Sequence, residues 1–569
     1  MSDTSTIRAD RLRIAGVPRP LGRGAGALSR AHITAATEQW LHALWVAATA
    51  DHPGPGIALA CSGSLARRES GPLSDLDLEL LVDERCPLEA EEIGQVAQRL
   101  WYPIWDSGLG LDHAVRSVEE ARAIARADLA TAAAALDVRC VAGDDRVVNA
   151  LRAVLAADWR TEARGRLPEL EESVRVRHAR SGDLDQTLDP DLKEGDGGLR
   201  DMTVLRALAA SWLADYSHDR AHAAHHVLLD TRDALQVSTG RARSKLVLDE
   251  HESVAARLGT DRDELLRRVS GSGRTIAREL ESTMRRALQA RAPRRGLPRR
   301  RPDLRALGDG CYVHEGEVVL GRGADLDDPL LPLVLARRAA EQDLPISPVT
   351  ARNLADRVAD LPRPWPPEAL DRFVALLATG HPLVAVWDTL DYAGLIGRWL
   401  PAWEAIRSRH QRNTLHRWTV DRHSLECVAV AGELVDRVRR PHVLVLAALL
   451  HDIGKIAGAS DHSITGARIA RLCLADLGAD AATTESVVVL VREHLTLSRI
   501  AAREDSEGPD AIARLCAAVS NDPDLLDQLA ALTEADSRAA GPGVWTAWRR
   551  DRTQLFVTAA HRRLSAGAG

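Results

Sequence analysis

Asp75 and Asp77 stand in the stretch GSLARRESGPLSDLDLELL, residues 63–81. Leu76, Leu78 and Leu80 alternate with Asp75, Asp77 and Glu79, the period of a half-buried strand, so both aspartates point to one face with the leucines buried behind them. Carboxylates presented this way suit nucleotidyl transfer, in which divalent cations hold a triphosphate and an attacking oxygen in line; Mg2+ is the cation expected. Gly63 and Ser64 close the preceding apolar run in a tight turn whose backbone N–H groups and missing side chain let phosphate approach. An isolated Asp-x-Asp is more often a solvated strand face, and the Gly-Ser turn is what favours a nucleotide site here.

A third carboxylate on a neighbouring strand would complete such a centre. Asp112, in LGLDHAVRS, is preferred because it shares a face with Arg116 while Leu111 and Val115 take the other; Asp137 is the competitor, and the choice stays open. The segment LDPDLKEGDGGLRDM, residues 188–202, places Gly195, Gly197 and Gly198 with Lys193 and Arg200 just before a helix. A glycine-rich loop there can hold an anion, with Lys193 and Arg200 as nucleotide contacts, or can form a tight turn.

A second constellation lies far downstream. Val443 to Leu450 is apolar throughout, as in a buried helix, yet it runs directly into His451 and Asp452, then Lys455. Burying a His-Asp pair is costly unless it binds something. His423, His462, His494 and Asp536 supply further nitrogen and carboxylate donors from separate helices, a set that suits Mn2+, Fe, Zn2+ or Mg2+. Such a metal can activate a water and clamp a phosphate for hydrolysis, with Lys455 assisting. Any one of these histidines is readily explained as a core residue, but the set is not.

Composition narrows the context. Of 74 basic residues only three are lysine, Lys193, Lys245 and Lys455, and two fall inside these motifs. Arginine replaces lysine easily on a solvated face but not where a compact ammonium is needed. A net charge of −7 argues against nucleic acid as the main partner, and no apolar run is long enough to span a bilayer. With no signal-peptide pattern at Met1, a cytoplasmic protein without membrane contact is expected. The seven cysteines are scattered and lack CxxC spacing, so neither a disulfide framework nor a cysteine zinc site is indicated.

The elements that must position these residues follow from periodicity. Residues 1–30 are expected to be loosely ordered. A small α/β domain occupies 31–148: a helix over Ile33–Thr49, strands at Ile57–Cys61 and around Leu76–Leu80, a helix over Glu89–Trp105, a strand over Leu109–Val115, an Ala-rich helix over Val118–Leu136 and a strand at Val138–Val141. Residues 149–290 are helical, and 291–302, with six arginines and three prolines, form a basic linker. A helical connecting region at 303–410, opened by a hairpin over Tyr312–Leu320, precedes a helical domain at 411–565. The fold class is multidomain and mainly α.

The Gly-Ser turn with its Asp-x-Asp strand resembles the polymerase β-like nucleotidyltransferases, and the order H, HD, H, H, D resembles the all-α HD phosphohydrolases. KEGDGGLRD, GHPLVAVWDTLDYAGLIGRWLPAWEAI, and HRWTVDRHSLE leading into HDIGK and DHSITGA together resemble the PII uridylyltransferase/uridylyl-removing family, from about Leu41 to about Trp548. The resemblance implies transfer of UMP from UTP to a tyrosine of the signal protein PII at Asp75 and Asp77, and its hydrolysis at a metal held by His423, His451, Asp452, His494 and Asp536, with His462 the least secure. Similar proteins of high-GC Gram-positive bacteria use ATP, so AMP transfer is a second expectation. CCA-adding tRNA nucleotidyltransferases share the domain order and form the rival reading, with a non-catalytic scaffold a third. The family continues into glutamine-sensing ACT domains, which are not expected within these 569 residues.

Overall fold

The computed structural model describes residues 6–22, 24–52, 54–291, 304–411, 418–503, 508–541 and 543–566. The chain divides into two compact units, Met1–Arg295 and Gly296–Gly569. The division falls inside the expected basic linker at 291–302, of which only Arg291 lies within the described residues. Among the described residues no helix is long and apolar enough to cross a membrane, and all seven cysteines are free.

The first unit opens with two helices, α1 (Thr6–Ala15) and α2 (Ala25–Ala48), corrections to the expected loose N-terminus. They are held by burial: Ile7 and Leu21 are core residues, Arg11 is 0% exposed, and Arg30 pairs with Asp230 and Asp233 at 2.8 Å. Then follow β1 (Ile57–Cys61), a single helical turn α3 (Gly63–Ala66), β2 (Leu76–Val82), α4 (Ala90–Asp106) and β3 (Leu111–Ser117). The expected helix over Val118–Leu136 is two, α5 (Val118–Ala127) and α6 (Leu129–Ala135). Asp128 breaks it by leaving helical backbone and accepting a hydrogen bond from Thr131 N at 2.6 Å, an N-cap that satisfies an orphan donor of the second helix. Next comes β4 (Arg139–Gly143).

The sheet runs β3-β2-β1-β4, with β1 antiparallel to both neighbours and β2 parallel to β3. Ile57, Leu59, Cys61, Leu76, Leu78 and Leu80 face α2 and α4 in one core. Ala58, Ala60 and Leu81 face a second core shared with α7 (Asp145–Ser181), α8 (Leu199–Ala210), α9 (His218–Thr239), α10 (His251–Arg257) and α11 (Arg262–Arg291). That core extends across the boundary expected at 148/149. β3 is an edge strand, and Val115, expected on the face opposite Asp112, is 42% exposed.

In the second unit the expected hairpin is a three-stranded antiparallel sheet, β5 (Arg305–Gly308), β6 (Cys311–His314) and β7 (Glu317–Leu320). Helices α12 (Leu331–Glu341), α13 (Pro348–Arg357), α14 (Pro367–Leu377), α15 (Leu383–Tyr392) and α16 (Leu395–Trp399) follow. They share one continuous core with α17 (Val420–Glu433), α18 (Pro441–Leu450), α19 (His462–Asp476), α20 (Ala481–Glu493), α21 (Thr496–Arg503), α22 (Pro509–Ala518), α23 (Pro523–Ala540) and α24 (Ala547–Ala566). That core extends across the expected boundary at 410/411. Val443–Leu450 of α18 are all buried, as an all-round apolar helix must be.

Candidate functional site

The first centre is built by β1, β2 and β3. Ser62 N donates to Asp77 O at 3.0 Å, joining the turn after β1 to β2. Gly63 has φ +61°, and a Cβ there would lie 2.2 Å from Asp77 Oδ2, so the carboxylate occupies the space that any other residue would fill. Parallel pairing sets Asp77 opposite Asp112, and Asp75 precedes β2 with its side chain exposed. Burial, and then the charges of Asp75 and Asp112, push the Asp77 carboxyl up to about 6, against the pull of Lys193 and Arg67. A group of anions this close favours a cation. Asp112 thus lies opposite Asp77 and Asp75 acts on Asp77 through its charge, whereas Asp137 is held by Arg67 Nη1 at 2.9 Å.

Arg67 also donates through Nε to Glu69 at 2.9 Å. Glu69 in turn receives Arg206 at 2.6 Å and His225 Nε2 at 3.1 Å. Burial would raise the Glu69 carboxyl, but His225, Arg206 and Arg67 hold it well below the usual range. Sequence reasoning missed this network, because nothing in GSLARRESG says which arginine turns inward.

The glycine-rich segment behaves as a tight turn. Gly197 has φ +85°, and a Cβ there would lie 2.1 Å from Gly273 O. The N–H groups of Gly198, Leu199, Arg200 and Asp201 donate to the carbonyls of Gly195, Leu192, Lys193 and Gly198, so none of these donors is left for an anion. Arg200 pairs with Glu194 at 2.9 Å. Of the two cations expected to contact nucleotide, Lys193 is one of the two positive charges that pull most on Asp77.

The second centre gathers residues from five elements. His423 lies on α17, His451 and Asp452 follow α18, His462 opens α19, His494 caps α20 and Asp536 lies on α23. Nδ1 of His451 and of His494 each donate at 2.8 Å to the carbonyl three residues back, Ala448 and Val491, which turns both Nε2 atoms inward. His423 Nε2 lies 2.8 Å from Asp536 Oδ1 and 3.3 Å from His451 Nε2, and His451 Nε2 lies 3.3 Å from Asp452 Oδ2. His494 and His462 approach Asp452 Oδ1 at 3.7 and 3.9 Å. The donors form two groups sharing Asp452: His423, His451 and Asp452, and Asp452, His462 and His494.

The donor set fits a divalent metal. Asp452 is 1% exposed, and both its oxygens lack a hydrogen-bond partner, as does His462 Nε2. Lys455 Nζ lies 2.7 Å from Asp452 Oδ2, an ion pair without hydrogen-bond alignment, and 2.6 Å from Gln411 Oε1. A buried lone pair without a donor, as at Asp452 Oδ1, is expensive unless a cation accepts it. Burial opposes charge throughout the cluster. At His451 the Asp452 carboxylate overcomes burial and raises the imidazole well above its ordinary value, while Lys455 and His451 hold Asp452 well below its own. At His494 burial prevails and the pKa falls to about 4, leaving a neutral imidazole ready to ligate.

Comparison with known proteins gives the chain a family context. An HD-domain model matches residues 420–539, and the GlnD PII-uridylyltransferase model matches residues 168–287. A bifunctional uridylyltransferase/uridylyl-removing enzyme of Streptomyces coelicolor is 44% identical over 545 residues, covering 93% of this chain and 64% of the relative. One of Mycobacterium tuberculosis is 43% identical over 526 residues, with 90% and 64% covered. One of Corynebacterium glutamicum is 36% identical over 511 residues, with 90% and 72% covered. The chain thus spans slightly less than two thirds of the length of the first two relatives.

Proposed function

This chain belongs to the family of bifunctional uridylyltransferase/uridylyl-removing enzymes, and on that premise we propose that it writes and erases one nucleotidyl group on a tyrosine of the signal protein PII. UTP is the donor in this reading, as the names of the relatives suggest. In transfer, the tyrosine oxygen attacks the α-phosphorus, the bond to the β-phosphate oxygen breaks, and pyrophosphate leaves. Asp75, Asp77 and Asp112 would hold Mg2+, which when bound offsets triphosphate charge and favours loss of the tyrosine proton. Lys193 supplies positive charge that acts on Asp77, and Gly63 leaves the carboxylate its space.

In removal, water attacks the same phosphorus and the bond to the tyrosine oxygen breaks. His423, His451, Asp452, His494 and Asp536 would hold the divalent metal, which when bound activates the water. Lys455, beside Asp452, would meet the phosphate.

The observation that carries this reading is the presence in one chain of two distinct groups, the aspartates Asp77 and Asp112 paired across β2 and β3 with Asp75 just before them, and a buried histidine–aspartate cage around Asp452. Mass spectrometry of PII incubated with the protein, Mg2+ and either UTP or ATP tests it. A tyrosine-borne UMP supports the reading, AMP corrects the nucleotide, and an unmodified PII in both arms rejects it.

A further inference from the structure

Residues Ser70 to Ser74, which lead into Asp75, are all buried although they form no helix or strand. A buried loop must find partners for its backbone groups, and these come from outside the sheet. Arg232 Nη2 of α9 donates to Glu69 O at 2.7 Å, and Gln236 Oε1 of α9 accepts from Leu73 N at 3.0 Å. Ser74 Oγ accepts from Gly71 N at 2.9 Å. Two carbonyls, of Gly71 and Ser74, are taken by one atom, Arg11 Nη2 of α1, at 2.7 and 3.0 Å.

Arg11 is 0% exposed, and its Nε and Nη1 have no hydrogen-bond partner. A guanidinium so buried and so incompletely bonded costs stability. Burial, with Arg232, lowers its pKa to about 10, and the charges of Asp75 and Asp233 act in the other direction. Arg11 is therefore a cation within electrostatic reach of Asp75 as well as a clamp on the residue before it. Its own helix is anchored independently, by Ile7 in the core beneath the sheet and by Arg8 donating to Gly240 O at 3.2 Å.

We propose that Arg11 is a positioning residue for nucleotidyl transfer: by clamping the Gly71 and Ser74 carbonyls it fixes where Asp75 meets the divalent cation, which makes α1 part of the transfer site. The proposal rests on the transfer reading above for its kinetic consequence, but not for its effect on cation binding.

The test uses the full chain with His451→Ala, so that the second centre does not dominate cation binding. Mn2+ affinity is measured by electron paramagnetic resonance, with Asp77→Asn marking the signal of the first centre. Arg11→Met is expected to weaken Mn2+ binding there by about tenfold or more, the usual consequence of losing a group that orients a ligand. In a chain with His451 intact, the same substitution lowers kcat for transfer by a similar factor, while removal stays within about twofold. Arg11→Lys, which keeps the charge but loses the fork, falls between, and the exposed Arg13→Met changes nothing.

Unchanged Mn2+ affinity in a folded Arg11→Met protein overturns the proposal, as does a parallel loss of both activities with a lowered melting temperature. If Arg11→Met does not fold, Arg11→Lys decides by the same criteria. A protein that transfers no nucleotide yet loses Mn2+ affinity on Arg11→Met rejects the transfer reading and keeps the positioning role.

Discussion

Gly63 and Asp77 are in direct contact across the turn between β1 and β2: a Cβ on residue 63 would stand 2.2 Å from Asp77 Oδ2, in a backbone conformation with φ +61°. Gly63→Ala must therefore move the carboxylate and also strain the backbone by roughly 1–2 kcal/mol. Nucleotidyl transfer should fall by about a hundredfold or more, in line with displacing a group by an ångström at a reacting centre. Removal, measured on pre-modified PII, should be unaffected.

Asp77 gives a pH signature in the metal-free protein. Its carboxyl is raised to about 6 by burial and by Asp75 and Asp112, so the folded state binds more protons than the unfolded state between about pH 4 and 6. Stability falls as pH rises through that window and does not recover above it. Asp77→Asn removes the penalty, so without metal the variant should be more stable than the parent at pH 7, by on the order of 2–3 kcal/mol at most, with no difference near pH 4. Calorimetry at the two pH values checks this, and saturating Mg2+ should reverse the order.

The two cations of the glycine-rich segment should separate. Lys193 acts on Asp77 whereas Arg200 is engaged by Glu194. Lys193→Met is expected to raise KM for the nucleotide by about tenfold, the scale of one charge-assisted contact, and Arg200→Met to change it by less than about twofold. Steady-state kinetics with varied nucleotide distinguishes them.

The sequence made β2 readable because leucines alternate with carboxylates over a strand buried on one side, and the same period placed Asp75 and Asp77 on the other. It left Asp112 and Asp137 open because both adjoin strands, and only the pairing of β2 with β3 sets one opposite Asp77 while Arg67 takes the other. Arg11 was not readable. An arginine in a weakly apolar N-terminal segment carries no local sign of burial, and its partners lie 60 and 63 residues away. His462 was visible as a histidine, but its distance from Asp452 depends on the close approach of Gly454 to the start of α19, where a Cβ would lie 2.0 Å from His462 O.

The second centre predicts a graded loss. His451 is 0% exposed and in contact with both His423 and Asp452, so His451→Ala should abolish removal and reduce bound metal. His462, half-buried and 3.9 Å from Asp452, belongs to only one of the two donor groups. His462→Ala should lower removal by about 10–100-fold and leave metal at the His423–His451 side, as read by elemental analysis of the purified variants.

Two separate centres should act in opposition on one tyrosine. This is tested most directly by following the intact mass of PII over time with the parent protein, Asp77→Asn and His451→Ala. The parent should add and later remove one nucleotidyl group, Asp77→Asn should only remove it, and His451→Ala should only add it. A single substitution that abolishes both reactions in a protein that remains folded would contradict this opposition.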